Sequence, residues 1–191
     1  TGGNTYSVEY TTPAGPCQAS SIVVVTVDAP VSAGTNGTHA FCSTDAPADL
    51  FNDLGGSPDA GGTWAPGMTS GTGVFDPSAD AAGTYTYTLL GSGACPDSSA
   101  TVDVTIETAP DAGTNGTHDF CSGDAPADLF NDLGGTPDAG GTWSPAMASG
   151  TGVFDPSMDI AGTYTYTVTG TACPNATADV IVTVDGPSCG S

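Results

Sequence analysis

The clearest pattern in the chain is a strict alternation of polar and apolar residues over positions 84–89, Thr-Tyr-Thr-Tyr-Thr-Leu. A period of two predicts a β-strand with its apolar residues on one face and its threonines on the other. Residues 100–106 alternate in the same way, with Val102, Val104 and Ile106 on one face. Because a loop rich in Gly, Ser and Pro separates the two runs, they predict an antiparallel pair of strands.

Shorter elements are predicted upstream of this pair. Residues 62–64 and 73–75 are candidate short strands between Gly and Pro turns. The dipeptide Asn36-Gly37 predicts a type I′ hairpin turn, since both residues accept a positive φ. Residues 45–56 depart from the β pattern and predict a helix of about two turns that Asp45 caps.

A tandem duplication organises the whole chain. Residues 34–91 and 113–170 are identical at 48 of 58 positions, and Cys42 and Cys121 lie 79 positions apart. A unit of this length is a whole domain rather than a solenoid repeat.

The first 28 residues fit the same register, because Tyr6 falls at the place of Tyr85 and Cys17 at that of Cys95. They match the last third of a repeat, so the sequence predicts an excerpt of a longer array. The predicted domains are a partial repeat over 1–28, a complete repeat over 29–107, and a complete repeat with the start of the next linker over 108–191.

Charge excludes several classes of function. The 191 residues include 21 Asp and Glu but no Lys or Arg, giving a formal net charge of −21. Such a chain cannot neutralise nucleic-acid phosphates and is repelled by anionic lipid. It also lacks the lysine that a Schiff base or a P-loop requires and the arginine that an arginine finger requires. No catalytic motif stands out, and no apolar stretch is long enough to span a membrane, so we expect a non-enzymatic protein with no nucleic-acid partner and no membrane insertion in this segment.

Six cysteines indicate an oxidising, extracellular compartment. Each complete repeat contains two, so the simplest pairing is Cys42 with Cys95 and Cys121 with Cys173, one disulfide within each domain, worth about 4 kcal/mol apiece in the chain-entropy model. The two remaining cysteines would bond outside the excerpt or to another chain; they are Cys17 and Cys189. The spacing His39-x-x-Cys42 leaves a zinc site as the less favoured alternative, because the ligand set is incomplete.

Acidic residues recur at intervals of four within the predicted helix. Like charges at this spacing repel unless something neutralises them, so the choice lies between a solvated face and a calcium site shared with linker acids. We expect any Ca²⁺ to stiffen the joint between repeats. The candidate calcium ligands are Asp45, Asp49, Asp53, Asp124, Asp128, Asp132, Glu107 and Asp111.

The two histidines are candidates for catalysis. His39 and His118 occur once per repeat, which favours a packed or edge position instead.

Three asparagines match the glycosylation acceptor pattern, although a turn explains the first two better: Asn36, Asn115 and Asn175.

The two copies differ at neighbouring apolar positions. Ala79 and Ala81 are replaced by Met158 and Ile160 in the second repeat. The replacement indicates either a locally enlarged core or an apolar contact with another repeat or chain.

Several motifs resemble known β-sandwich domains. The run Asp80-Ala-Ala-Gly-Thr-Tyr85-Thr-Tyr, repeated over 159–166, resembles the tyrosine corner of immunoglobulin-like domains. Trp64 and Trp143 look like the buried tryptophan of such folds. The resemblance implies an all-β class, with tandem immunoglobulin-like antiparallel sandwiches whose core includes Trp64, Tyr85, Trp143 and Tyr164.

A narrower resemblance covers nearly the whole chain. The motifs Cys42-x-x-Asp-Ala-Pro-x-Asp-Leu-Phe, Gly-Gly-Thr-Trp64, Val-Phe-Asp-Pro77, Ala-Gly-Thr-Tyr-Thr-Tyr87, Cys95-Pro and Thr-Val-x-Val-Thr105 are similar to the tandem repeats of very long secreted surface proteins of Bacteroidota. That group includes gliding-motility adhesins exported by the type IX system. The resemblance implies a cell-surface fibre or stalk and carries over no catalytic residue.

The expected function is therefore that of an extracellular repeat array. Its expected partners are neighbouring repeats of the same chain or fibre, with other cells or surfaces as further candidates. One alternative is a self-assembling filament subunit, joined by strand complementation or intermolecular disulfides. Another is a glycan- or cell-binding module, which would need aromatic side chains exposed together.

Overall fold

The structure is a computed structural model that describes residues 3–16, 19–93 and 95–186. The chain divides into two compact units. Unit 1 comprises Thr1–Ala40 and Ala46–Thr105, and unit 2 comprises Phe41–Asp45 and Ile106–Ser191. A short segment of the first repeat, Phe41–Asp45, thus belongs to the second compact unit. The repeat boundaries drawn from the sequence remain predictions.

Short strands account for almost all the regular structure. The first part of the chain forms an antiparallel hairpin of two strands, β1 (Asn4–Thr11) and β2 (Ser20–Val27). The first complete repeat contains β3 (Gly37–Cys42), β4 (Ala48–Asp49), β5 (Thr63–Ala65), β6 (Val74–Phe75), β7 (Gly83–Leu89) and β8 (Ser98–Glu107). The second contains β9 (Gly116–Cys121), β10 (Ala127–Asp128), β11 (Thr142–Ser144), β12 (Val153–Phe154), β13 (Gly162–Val168) and β14 (Ala176–Asp185).

Each complete repeat builds a four-stranded sheet and a two-stranded sheet. The strand orders are β5-β7-β8-β3 and β11-β13-β14-β9 for the larger sheets, and β4-β6 and β10-β12 for the smaller ones. The predicted antiparallel pair is confirmed, with Tyr85 opposite Val102 and Tyr164 opposite Val180. The first strand of the second repeat, β9, lies parallel to the last, β14.

In each complete repeat, the core lies between the larger and the smaller sheet. Phe154, from the smaller sheet of the second repeat, contacts Phe120 and Tyr164 of the larger sheet with ring centroids 4.9 and 5.5 Å apart. Phe75 and Tyr85 meet in the same way in the first repeat, at 5.4 Å. The alternation read from the sequence explains this packing, because it places the tyrosines and valines of the long strands on one buried face.

The tyrosine corner is present in both repeats. The hydroxyl of Tyr85 donates to the carbonyl oxygen of Ala81 at 2.8 Å, and that of Tyr164 donates to the carbonyl oxygen of Ile160 at the same distance. Burial raises the pKa of both phenols, and a nearby carboxylate adds to the effect. With two packed sheets and this corner, each complete repeat is an immunoglobulin-like β-sandwich.

The two-turn helix predicted over 45–56 is wrong in length. Residues Ala48–Asp49 pair with Val74–Phe75, and only Leu50–Asp53 follow as a single 3₁₀ turn. The cap is Asp49, which accepts from the backbone N–H of Phe51, rather than Asp45. Strand pairing prevails because it lets the fully buried Leu50 anchor the smaller sheet to the core.

The type I′ turn predicted at Asn36-Gly37 is also wrong. No described residue other than glycine has a positive φ, and Gly37 already begins a strand. Gly37 is needed for a different reason, since a Cβ there would collide with the carbonyl oxygen of Asp53. The side chain of Asn36 accepts from the N–H of Thr101 at 3.0 Å, which ties the loop to β8.

Candidate functional site

The feature that stands out chemically is a disulfide between Cys42 and Cys173. It closes a sequence separation of 131 residues and lies within unit 2. The predicted pairs Cys42–Cys95 and Cys121–Cys173 are therefore wrong. Cys42 is the last residue of β3 in the first repeat, whereas Cys173 belongs to the second, so the bond joins sequence repeats rather than closing one.

Backbone contacts explain why these two cysteines meet. The N–H of Ser43, next to Cys42, donates to the carbonyl oxygen of Glu107 at 2.8 Å. The Sγ of Cys173 lies 3.5 Å from the same carbonyl oxygen. Both cysteines are thus held at the end of β8 by one residue, and both are buried. We refer to Cys42, Cys173 and Glu107 as the joint.

The carboxylate of Glu107 fastens the loop that carries Cys173. It accepts hydrogen bonds from the backbone N–H groups of Thr171, Ala172 and Cys173. These bonds, that of Thr171 first, lower the pKa of Glu107 to about 2, because they stabilise the ionised form. In a chain without Lys or Arg, backbone donors take the place of a cation.

The other cysteines have different outcomes. Cys95 is a free, partly buried thiol, which contradicts its predicted pairing. Cys121 is disulfide-bonded, but not to Cys173. Cys17 and Cys189 lie outside the described residues. The zinc alternative at His39-x-x-Cys42 is excluded, because Cys42 is oxidised to a disulfide.

The predicted acidic stripe does not form, because its helix does not. In the first repeat, Asp45 accepts from the N–H of Cys42, Asp49 caps the 3₁₀ turn and Asp53 pairs with His39 at 2.9 Å. The second repeat repeats these contacts: Asp124 with Cys121, Asp128 with Phe130, and Asp132 with His118.

Among the described residues, no three His, Cys, Asp or Glu side chains come together as a metal-binding group. Asp111 accepts from the N–H of Gly113 and Glu107 is held at the joint, so the two linker acids serve the backbone as well. Calcium binding stays a prediction, without a described ligand group to carry it.

The histidines take structural positions. His118 stacks on Phe120 with ring centroids 3.9 Å apart, while its Nδ1 lies 2.8 Å from a carboxylate oxygen of Asp132. This agrees with the packed role predicted for it. Three exposed asparagines accept hydrogen bonds from backbone N–H groups through their side-chain oxygens: Asn36, Asn115 and Asn175. Their glycosylation stays a prediction.

The aromatic residues divide into core and cleft. Tyr85 and Tyr164 are buried, as predicted, whereas Trp64 and Trp143 are only half-buried. Trp64 lies 5.1 Å from the buried ring of Tyr87, and the two help to line a cleft of about 510 Å³ in unit 1 with Asp49, Phe51 and Met68. The second repeat has the same cleft around Trp143, of about 560 Å³.

The replacements unique to the second repeat lie on the surface. Met158 is 70% exposed and Ile160 is 82% exposed, so the enlarged-core interpretation is wrong. Both side chains line one shallow depression on unit 2.

Sequence reasoning missed the role of Glu107 and the pairing across repeats. Glu107 was recognised only as a linker acid, because an acceptor for three consecutive N–H groups leaves no signature in a sequence. The pairing could not be read from spacing either, because spacing favoured bonds within a repeat and carries no information on which cysteines of different repeats meet.

Neither protein-family models nor curated proteins match the chain. Among solved structures, an I-band fragment of titin, I67-I69, aligns with a TM-score of 0.47 and 14% identity, covering 96% of this chain and 75% of that one. A variant of the same three titin domains aligns with a TM-score of 0.46 and 15% identity over the same shares. Within the described residues, no helix has the length and apolar character needed to cross a membrane.

Proposed function

We propose that the chain is part of an extracellular, non-enzymatic repeat array that forms the shaft of a surface fibre or adhesin. The observation that carries this proposal is the Cys42–Cys173 disulfide, which joins the end of β3 to a cysteine of the following repeat. Disulfides persist in oxidising compartments, which supports an extracellular location.

The mechanical consequence of the disulfide supports a shaft. Tension applied across Cys42 and Cys173 runs through the S–S bond, so the residues between them cannot be drawn out even if they unfold. Near-identical modules add length without changing chemistry, and the charge of −21 keeps neighbouring fibres apart. The motif resemblance extends the proposal to the secreted adhesins of Bacteroidota, including those of gliding motility.

Force spectroscopy on the whole chain tests this function. The chain is pulled from its two ends, first oxidised and then reduced with dithiothreitol. Reduction should add at least roughly 450 Å of contour length, which is that of 131 residues at about 3.5 Å each. A Cys95→Ser variant, which keeps the joint, should show the same difference. Equal contour lengths before and after reduction would show that the array has no covalent load path and overturn the proposal.

The cleft beside Trp64 supports a second candidate, a glycan-binding module. A half-exposed indole beside the carboxylate of Asp49 offers a stacking face and a hydrogen-bond acceptor to a sugar ring. Against it, the neighbouring Tyr87 is buried, and its hydroxyl donates to the carbonyl oxygen of Asp59.

A glycan array screened with the wild-type chain and with a Trp64→Ala/Trp143→Ala variant tests this candidate. Binding that requires the tryptophans supports a glycan site. If wild type and variant give the same signals, the clefts have no such role.

A further inference from the structure

The hairpin β1–β2 has the sequence of a core but not its packing. All sixteen residues of its two strands are exposed. Tyr6 is 55% exposed and Val25 is 43% exposed, whereas Tyr85 and Val104, at the equivalent positions of the first repeat, are 3% exposed. An apolar face of this extent is costly to leave in water.

The thiol of Cys95 lies at the end of this hairpin. Its Sγ is 3.6 Å from the carbonyl oxygen of Asp28, the residue that follows β2. The equivalent contact in the second repeat joins the Sγ of Cys173 to the carbonyl oxygen of Glu107 at 3.5 Å. Cys95 therefore occupies the position of Cys173, but without a disulfide partner.

The complete repeats show what would cover the hairpin. In the second repeat, β9 runs parallel to β14, and its last residue, Cys121, lies opposite Asp185. Asp28 is equivalent to Asp185 in the repeat register. A strand added in this way to the free edge of β2 would thus deliver its terminal cysteine beside Asp28, where the Cys95 thiol already lies.

We propose that β1–β2 and Cys95 together form an acceptor site for a segment that precedes Thr5 in the same polypeptide. This segment would be the first part of a repeat and would resemble residues 29–83. The segment would cover the hairpin with its strands and bond its cysteine to Cys95. A second copy of the chain is not the expected source, because its two segments of this type are already packed in its own repeats. The inference rests on the proposed array, but its test measures Cys95 and the hairpin rather than the contour length of the chain.

The bond would form by thiol–disulfide exchange. The Cys95 thiol and the incoming thiol each lose a proton, and together they lose two electrons as the S–S bond forms. Glutathione disulfide takes up the electrons and protons, and its own S–S bond breaks to give two thiols.

The register of the hairpin provides a second readout. Tyr6 is paired with Val25, two residues away from the register of the complete repeats, in which Tyr85 is paired with Val102. Register is weakly specified when neither face of a strand is buried. A covering segment should therefore restore the pairing of Tyr6 with Val23.

The experiment fuses a copy of residues 29–83 directly to Thr5, where it takes the place of residues 1–4, and leaves the rest of the chain unchanged. After oxidation with glutathione disulfide, Cys95 should lose its labelling by iodoacetamide, and peptic peptides should show it bonded to the added copy of Cys42. Hydrogen exchange in β2 should slow, and cross-strand contacts measured by NMR should show Tyr6 opposite Val23. A matched extension that carries Cys42→Ser in the added copy should also slow hydrogen exchange in β2, but Cys95 should stay reactive towards iodoacetamide.

In the extended chain, any of three results would overturn the inference: unchanged labelling of Cys95, bonding of Cys95 to a cysteine other than the added copy of Cys42, or unchanged hydrogen exchange in β2. Reversible dimerisation of the original chain with loss of Cys95 labelling would identify a second copy as the occupant and also overturn it. The same peptic map shows whether the Cys42–Cys173 bond is intact, so failure here is distinguishable from failure of the proposed shaft.

Discussion

Cys42 and Cys173 are bonded although one ends a strand of the first repeat and the other follows β13 of the second. The carbonyl oxygen of Glu107 contacts both sides of this bond, through the N–H of Ser43 and the Sγ of Cys173. The disulfide thus links cysteines of two sequence repeats, and both of these cysteines lie in unit 2.

Removing this disulfide should destabilise unit 2. Closing a loop of this size constrains the unfolded chain by up to about 5 kcal/mol in the chain-entropy model. We expect Cys42→Ser and Cys173→Ser to lower the melting temperature of unit 2 equally in calorimetry, and Cys95→Ser to leave it unchanged. Peptic mapping of the native chain should give a Cys42–Cys173 peptide pair, and recovery of a Cys42–Cys95 pair instead would contradict the structure.

Glu107 should make the joint sensitive to acid. Its pKa in the folded chain is about 2, below the ordinary value of 4.5, so its contribution is fully present above pH 4.5. The contribution is lost as the pH falls from about 4.5 towards 2, because the unfolded chain gains the proton first.

Glu107→Gln should therefore make the melting temperature of unit 2 depend less on pH in that window. The same variant should have a lower melting temperature than wild type at neutral pH. Glu9→Gln, on the exposed hairpin, serves as the control and should change neither. Parallel pH curves for wild type and Glu107→Gln would refute the role given to the carboxylate.

The tyrosine corner should contribute to stability in both repeats. Tyr85→Phe removes the hydrogen bond from the buried phenol to the carbonyl oxygen of Ala81, which we expect to cost about 0.5–1.5 kcal/mol in chemical unfolding of unit 1. Tyr164→Phe should have a similar effect on unit 2. Tyr6→Phe, at the equivalent but exposed position, should have almost none, and a comparable loss there would argue against the corner as the cause.

Gly37 should not tolerate a side chain. A Cβ at this position would collide with the carbonyl oxygen of Asp53, so Gly37→Ala should destabilise unit 1 by about 1–3 kcal/mol. Gly67→Ala is the control, because nothing lies within 4 Å of its added Cβ. If the two variants melt at the same temperature, the close approach of the backbones is not what requires glycine.

Salt should stabilise the chain, because 21 carboxylates without a basic partner repel one another. We expect the melting temperature to rise with NaCl, and a flat response would contradict this view. CaCl₂ at matched ionic strength tests the calcium prediction. A further rise above NaCl would support a cation site, whereas identical melting temperatures would exclude one.

The β class, the repeat and the buried faces of the long strands could all be predicted from the amino-acid sequence. These features follow from local rules: alternation places Tyr85 and Val102 inward, and duplication makes the second repeat a copy of the first. The prediction of no nucleic-acid partner rests in the same way on composition. The tyrosine corner was recognisable because a short motif carries it.

Tertiary structure alone decided which cysteines meet and what the acids do. Spacing within a repeat favoured Cys95 as the partner of Cys42, but the position of Glu107 at the end of β8 brings Cys173 there instead. The segment after Asp45 has helical spacing, yet pairing with β6 limits it to a 3₁₀ turn. Both outcomes depend on contacts between residues distant in the chain, whose energies outweigh local preference and which no local pattern records.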